Sequence, residues 1–446
     1  MTLNIYDSPE ITVGESINLV YKLDEKPKSI RDLLLFSAQW LVTMFYCVVW
    51  GYAVVGIGID LTGSEFASYM ATIVLMVGLS TLAQSILGHR FAMVSGPNII
   101  PSLAIVAAYG IGGKEYALQS FTAQAIAGIV IALAGSAGLI GYISRVWSKL
   151  VLGSMVMMVG LSVSYPGISL LTSYGMGWPF FAGLGLALLA GVIAIRGKGL
   201  LSTIPTLVIV PLGYLIFIAA GSFNWGTAST LPLVTLPKLL PFGTSLPPLD
   251  LLFTMLIVNL MAALNMYGNV TGWGTLVGER LNEKQSRRSF TVFGLIETTL
   301  AGLLGVPGHV SYGENLGIIT LTRVASRYFI IVASILFILA SFIGPVSGFM
   351  AAMPNPVAGA ILLGIASTVI GQGASIWASG RFGRREILIA GFSIFLSFGL
   401  SRLPQTVWET TPRVIATVFS NPIITVILLV ILLEQVVFRE PAETAK

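Results

Sequence analysis

Apolar runs close to the roughly 20 residues that span a bilayer recur from Leu33 almost to the end of the chain, separated only by short turns. A chain patterned this way must satisfy its backbone hydrogen bonds within its own segments, because lipid offers neither donors nor acceptors. Composition agrees: of 446 residues, 55% are hydrophobic and 10% charged, and the mean hydropathy is +0.89, far from the balance of soluble domains. An all-α integral membrane protein follows, with the lipid bilayer as its main solvent. The polar first 32 residues lack the basic start, apolar stretch and cleavage site of a signal peptide, so the first span is expected to act as its own insertion signal. The single cysteine, Cys47, excludes an intramolecular disulfide and reads as a small packed hydrophobe.

Fourteen spans are predicted: 33–59, 66–87, 91–109, 117–143, 147–171, 179–195, 199–221, 248–274, 289–305, 310–323, 325–350, 356–374, 386–401 and 420–438. With a cytoplasmic N-terminus, twenty of the 24 lysines and arginines fall in inside segments; only Lys114, Lys238, Arg402 and Arg413 fall outside. Both termini are therefore expected in the cytoplasm. The same distribution reads the net charge of +5 as topology and not as a nucleic-acid surface. The organisation predicted is a cytoplasmic segment 1–32, a first repeat 33–221, an extracellular linker 222–247 with four prolines, a second repeat 248–438 and a cytoplasmic tail 439–446. Seven spans is an odd number, so homologous halves would lie inverted in the membrane, a plan common among secondary transporters.

An internal match supports two repeats. Gly88 precedes Gly96-Pro97-Asn98, and Gly305 precedes Gly313-Glu314-Asn315, at a constant offset of 217. With 49 glycines such matches arise readily by chance; against chance, each lies in the third span of its half. Both spans are short and rich in Gly, Pro or Asn, so spans 3 and 10 are expected to be interrupted, each a short strand followed by a half-helix. Paired broken spans point to a substrate site near the midplane, because irregular backbone is tolerated there only beside a cavity or inside protein.

Few acidic residues lie within the spans. Glu314 and Glu297 are the two that matter, since Glu434 sits near the cytoplasmic end of the last span; a carboxylate in that setting is costly, with function as its default reading. Glu314 lies where an extended segment becomes a half-helix. There its carboxylate could accept hydrogen bonds from ring N–H groups beside the free N–H groups of the helix start. Simple capping is the structural alternative. For Glu297, in Gly294-Leu295-Ile296-Glu297, pairing with a neighbouring helix competes equally with function.

The run Glu314-Asn315-Leu316-Gly317-Ile318-Ile319-Thr320-Leu321-Thr322-Arg323 resembles the signature of the nucleobase/ascorbate transporter family, and Tyr312-Gly313-Glu314-Asn315 resembles its bacterial uracil permease branch. The resemblance implies a nucleobase permease, not an enzyme, that moves uracil or a purine such as xanthine or urate by alternating access. Spans 1–4 and 8–11 would form a core moving against a gate of spans 5–7 and 12–14, in a homodimer in the plasma membrane. It implies no cofactor beyond a coupling proton or sodium ion. By the same resemblance, the backbone of Gly313 and the side chain of Glu314 would hold the base's polar edge, with Phe91 against its ring. Tyr312 could line the same pocket, and Asn315 belongs to the signature. Stacking on aromatics would complement directional hydrogen bonds; core packing is the alternative for either ring.

Departures matter equally. In the eighth span, where the family carries a base-binding Glu and then an Asp or His linked to coupling, this chain has Asn265 and Asn269, and in the first it has Gln39-Trp40 where Gln-His is common. Asparagine hydrogen-bonds but does not titrate. Three readings stay open: Glu314 alone carries a coupling proton; transport is uncoupled; or Arg90 and the Asn pair retune the site for an anionic ring. Arg90 also reads simply as a cytoplasmic-edge charge. His309 and His89, each beside a broken span, are candidate proton relays with a structural alternative. The same fold serves inorganic-anion carriers, whose site would be better served without a carboxylate. A membrane enzyme is disfavoured: the chain carries no His-Glu-x-x-His, Gly-x-Ser-x-Gly or Walker loop, and no clustered His or Cys.

Overall fold

Helices satisfy the backbone of a chain this apolar segment by segment, and they dominate the computed structural model. It describes residues 18–56, 58–139, 148–197, 205–279, 281–313, 315–380 and 382–439. Glu314, Arg145, Lys198, Arg280, Arg381 and Lys446 lie outside the described residues, as does the side chain of Cys47. Helix α1 (Ile30–Trp50) starts at Ser29, whose hydroxyl accepts from the Asp32 N–H, and it passes into a π-helical turn at Gly51–Gly56. Next come α2 (Gly63–Ile86), strand β1 (Ser95–Pro97) and α3 (Ile99–Ser136). The predicted third and fourth spans run together in α3, broken only at Gly113 (φ 74°, ψ −168°), a backbone conformation that needs glycine.

The first half closes with α4 (Lys149–Leu171), α5 (Trp178–Arg196) and α6 (Thr206–Ala219). The second half begins with α7 (Leu249–Val277) and α8 (Glu283–Val292), which continues as a π-helix over Phe293–Leu300 and an α-turn over Ala301–Leu303. Strand β2 (His309–Ser311), α9 (Asn315–Thr322), α10 (Arg327–Ser341), α11 (Gly344–Ala351), α12 (Asn355–Ala378), α13 (Arg384–Leu400) and α14 (Pro422–Leu432) follow. Each of the fourteen apolar stretches carries a helix. Among the described residues six helices, α2, α3, α4, α5, α7 and α12, are by themselves long and apolar enough to cross a membrane. Short helices at Trp225–Ala228, Gln405–Glu409 and Arg413–Phe419 fall outside the predicted spans.

The halves interlock. Helix α2 packs on α10, while the π-helical segment packs on α3, so the second span of each half lies against the fourth of the other. Helices α4 and α12 also pack against each other across the halves. Small residues let these backbones meet, as membrane helices commonly require. On α4, Gly153, Gly160 and Gly167 recur every seven residues opposite Gly373, Ala366 and Gly359 of α12. A Cβ on Gly359 would lie 2.7 Å from the Gly167 carbonyl oxygen, and one on Gly160 2.9 Å from that of Ala366.

Segments outside the bundle are tied to it. Val20 N–H donates to the Arg323 carbonyl (2.8 Å), Ala325 N–H to that of Tyr21 (2.9 Å), and the Arg327 Nε–H to Asp24 (2.6 Å). In the linker, Thr235 N–H donates to the Phe342 carbonyl and Leu240 N–H to that of Leu303.

The two strands pair antiparallel, Ser95 with Ser311, Gly96 with Val310 and Pro97 with His309. Both broken spans thus begin as strand and continue as helix. The offset between equivalent strand residues, 95 to 309, is 214 and not 217: Gly96 lies within β1, whereas Gly313 lies two residues past β2. The second half spends extra residues between strand and helix, so the glycine match locates the repeat without giving its register.

Candidate substrate-binding site

Where the strands cross, the backbone has no helix of its own to satisfy it, and each strand uses the other. The Tyr312 N–H donates to the Val94 carbonyl (3.0 Å) and the Asn98 N–H to the Gly308 carbonyl (2.7 Å), extending the ladder at both ends. Asn98 then caps α3, its Oδ1 accepting from the Ile100 N–H (2.8 Å). These junctions aim the start of α3 and the residues just before α9 at one cavity of about 330 Å³, at the small end of ligand pockets.

One wall comes from Pro97, Asn98, Val310, Tyr312 and Gly313, a second from Asn265, Gly268 and Asn269 of α7, and the third from α4 and α12. The described wall carries no charge. Its polar groups are the amides of Asn98, Asn265, Asn269 and Gln372, the Tyr312 phenol and exposed backbone; its apolar groups include Met155, Val156, Val159 and Val369. Asn269 Nδ2–H donates to the Ser311 carbonyl (2.9 Å), and the Tyr312 hydroxyl donates to the Pro97 carbonyl (2.7 Å), so both are held by the strands. Such a wall suits a flat, polar-edged, uncharged molecule: amides for its edge and branched side chains for its face. Among the described residues no group of three His, Cys, Asp or Glu side chains could hold a metal ion.

Of the residues singled out from sequence, Gly313, Tyr312, Asn265 and Asn269 come together on this cavity. Glu314 lies outside the described residues, between Gly313 on the wall and Asn315 at the start of α9. Asn315, Phe91, Gln39 and His309 are not on the cavity wall. Asn315 is buried and donates to the carbonyls of Tyr312 (2.7 Å) and Val94 (3.3 Å), pinning the strand ends. Gln39 is half-buried on α1, its carbonyl accepting from Thr43. In β2, side chains alternate: Val310 lines the cavity while His309 is buried, its Nδ1 2.9 Å from the Pro307 carbonyl. Arg90 meets Asp24 at 3.6 Å on the N-terminal segment and is likewise absent from the wall.

Phe91 is buried and stacks on Trp273, ring centroids 4.3 Å apart and planes 18° apart. It braces α7 from behind, so Phe91→Leu should lower the apparent Tm by several degrees while changing ligand affinity little. Paired thermal-unfolding and binding curves check this: affinity lost at unchanged Tm would put the ring against the ligand. The residues that sequence reading missed include Leu264 and Gly268 of α7, Val310 of β2 and the lining of α4 and α12. Only Gln372, an amide within an apolar span, carried a signal; Met155, Val156, Val159 and Val369 look like any lipid-facing side chain.

Residues 31–406 match the sequence profile of the Permease family. The chain is 24% identical over 391 residues to the uracil permease of Bacillus caldolyticus, covering 85% of this chain and 88% of that one. It is 25% identical over 446 residues to xanthine permease XanQ of Escherichia coli K12 (93% and 94% covered) and 24% identical over 389 residues to uric acid permease PucK of Bacillus subtilis (84% and 88%). Among solved structures, the transmembrane domain of a cyanobacterium bicarbonate transporter, BicA, superposes with a TM-score of 0.60 at 14% identity, covering 88% of this chain and 97% of its own. The murine anion transporter Slc26a9, inward-facing, gives 0.57 at 12% identity, covering 88% and 68%. At those identities the likeness is one of fold.

Proposed function

The chain belongs to the xanthine/uracil type of the Permease family, a multi-pass membrane transporter and not an enzyme, and from that premise we propose that it carries a nucleobase across the cell membrane by alternating access. The observation that carries the reading is the amide-lined cavity at the crossing of the two broken spans, with Gly313 and Tyr312 on its wall and Glu314 next in the chain. In this reading Glu314 accepts from ring N–H groups, Asn265 and Gln372 serve the remaining edge, and valine side chains pack on the ring. Fourteen spans, with both termini cytoplasmic, form a core (spans 1–4 and 8–11) that moves against a gate (5–7 and 12–14). The family resemblance would pair two copies of the chain through the gate.

A thermal-shift screen with uracil, xanthine, hypoxanthine, guanine, urate and ascorbate, followed by counterflow of the labelled hit, tests the reading, because a ligand of the folded state alone raises its apparent stability. A shift with sulfate or bicarbonate and none with a base would instead favour an anion carrier, the second reading that the fold likeness to BicA supports. Asn265→Glu restores a carboxylate to the cavity wall. It is expected to change substrate preference or the pH profile of uptake at least several-fold; uptake unaltered in both would take α7 out of the binding surface.

A further inference from the structure

Behind the strand pair, on the side away from the cavity, lies a second polar centre. Glu297 sits in the π-helical stretch Phe293–Leu300, a distortion frequent at functional positions, and is fully buried. Its Oε2 accepts from Gln84 Nε2 (2.9 Å), and its Oε1 has no hydrogen-bond partner among the described residues. None of the ion pairs among the described residues includes it. A permanently ionised carboxylate held only by neutral groups would be too costly inside a membrane protein. A group that takes up and releases a proton is suited to the place.

We propose that Glu297 is the proton-binding site that couples transport, standing in for the carboxylate that Asn265 and Asn269 lack. The inference rests on the transport reading above. On uptake one proton binds a carboxylate oxygen and gives the neutral acid; on release the carboxylate returns, and no other group changes charge. The site connects to the cavity through a defined chain. His89 Nδ1 accepts from the Phe91 N–H (3.0 Å), which leaves the proton on Nε2 to donate to Ser311 Oγ (3.0 Å). Ser311 Oγ lies 2.8 Å from Ser95 Oγ, and Ser95 adjoins the Glu297 carboxyl. The Ser311 carbonyl accepts from Asn269, which lines the cavity. A change of charge at Glu297 therefore acts on β1, β2 and Asn269 together.

The elements packed on this stretch are α3, α8, the turn Ala301–Leu303, α2 and β2. Helix α3 faces it with Ala125, Gly128 and Ala132. The charged residues of α8 lie at least two turns away, where Arg287 pairs with Glu283. Gln84 comes from α2, and the titratable groups nearby are His89, committed to Ser311 and Phe91, and His309 on β2.

The test uses full-length protein in proteoliposomes with the labelled base that wild type carries. For Glu297→Gln, counterflow should persist within about threefold of wild type, while accumulation driven by a pH gradient is lost and counterflow no longer varies with pH. Gradient-driven accumulation in that variant would overturn the proposal. So would wild-type accumulation that follows a sodium gradient and ignores a pH gradient. A wild type that exchanges no base at all would sink the transport reading itself, a different result. Should the glutamine variant fail to purify, Gln84→Leu strips the carboxyl of its amide hydrogen bond and leaves Glu297 and Ser95 in place. It should move the pH midpoint of accumulation to the alkaline side by about one unit, since the amide favours the charged form; an unmoved midpoint overturns the site.

Discussion

Gly294→Leu is expected to abolish recovery of folded protein. At Gly294 an added Cβ would stand 2.5 Å from the Gly128 carbonyl oxygen and 2.5 Å from the Ala132 amide nitrogen, both backbone atoms of α3. A neighbouring side chain could rotate away; a helix backbone has no such freedom. Relief requires α3 and the π-helical segment to separate, and α3 carries the capped start at Asn98 that shapes the cavity. Overpacking a core with extra methylenes costs about 1–3 kcal/mol even where side chains yield. Here the obstacle is backbone, and the whole fold is stabilised by only about 5–15 kcal/mol. The monodisperse peak in size-exclusion of detergent extracts should fall at least tenfold, whereas Leu295→Ala, one residue along at a half-exposed position, should leave it nearly intact. A full peak for Gly294→Leu would mean that the two elements are not in the contact described.

That close approach shows how far the sequence could be read. Apolar runs of bilayer length locate the helices because the membrane imposes one rule on every segment, and all fourteen stretches contain helix. Which helices touch is another matter. In lipid the apolar face of a span carries no periodic signal, since its outer side is as apolar as its inner one. The pairing of α4 with α12 is encoded in Gly153, Gly160 and Gly167 meeting Gly373, Ala366 and Gly359, a spacing that becomes meaningful only once the partners are known. Likewise, the broken spans were legible from Gly, Pro and Asn, yet their register was not: the glycine match runs at 217 and the strands at 214. Motif residues were found readily; whether each lies on the cavity or behind it depended on strand alternation, which puts Val310 forward and His309 back. Phe91 illustrates the same limit, because its partner Trp273 lies 182 residues away along the chain.

Glu314→Gln is expected to remove base binding with the fold intact. The residue is next in the chain to Gly313, which is on the cavity wall, and precedes Asn315, whose side chain pins the strand ends. A carboxylate presents acceptors only, which matches adjacent ring N–H groups; glutamine replaces one acceptor oxygen with an NH₂ donor and sets donor against donor. Hydrogen bonds to a charged group contribute about 1.5–3 kcal/mol, and a donor left buried without a partner costs about 1–3 kcal/mol more. Together these predict a loss of at least about a hundredfold in affinity, which is about 2.8 kcal/mol. Equilibrium binding of the base that shifts wild-type Tm, measured beside the unliganded Tm of both proteins, separates the outcomes. Lost binding at an unchanged Tm supports direct contact. Lost binding with a lowered Tm makes Glu314 a helix cap at the start of α9, and wild-type affinity removes it from the site altogether. The amides of Asn265 and Gln372 would then have to hold the ligand alone, and because an amide both donates and accepts, selectivity among bases with different edge patterns should be correspondingly broad.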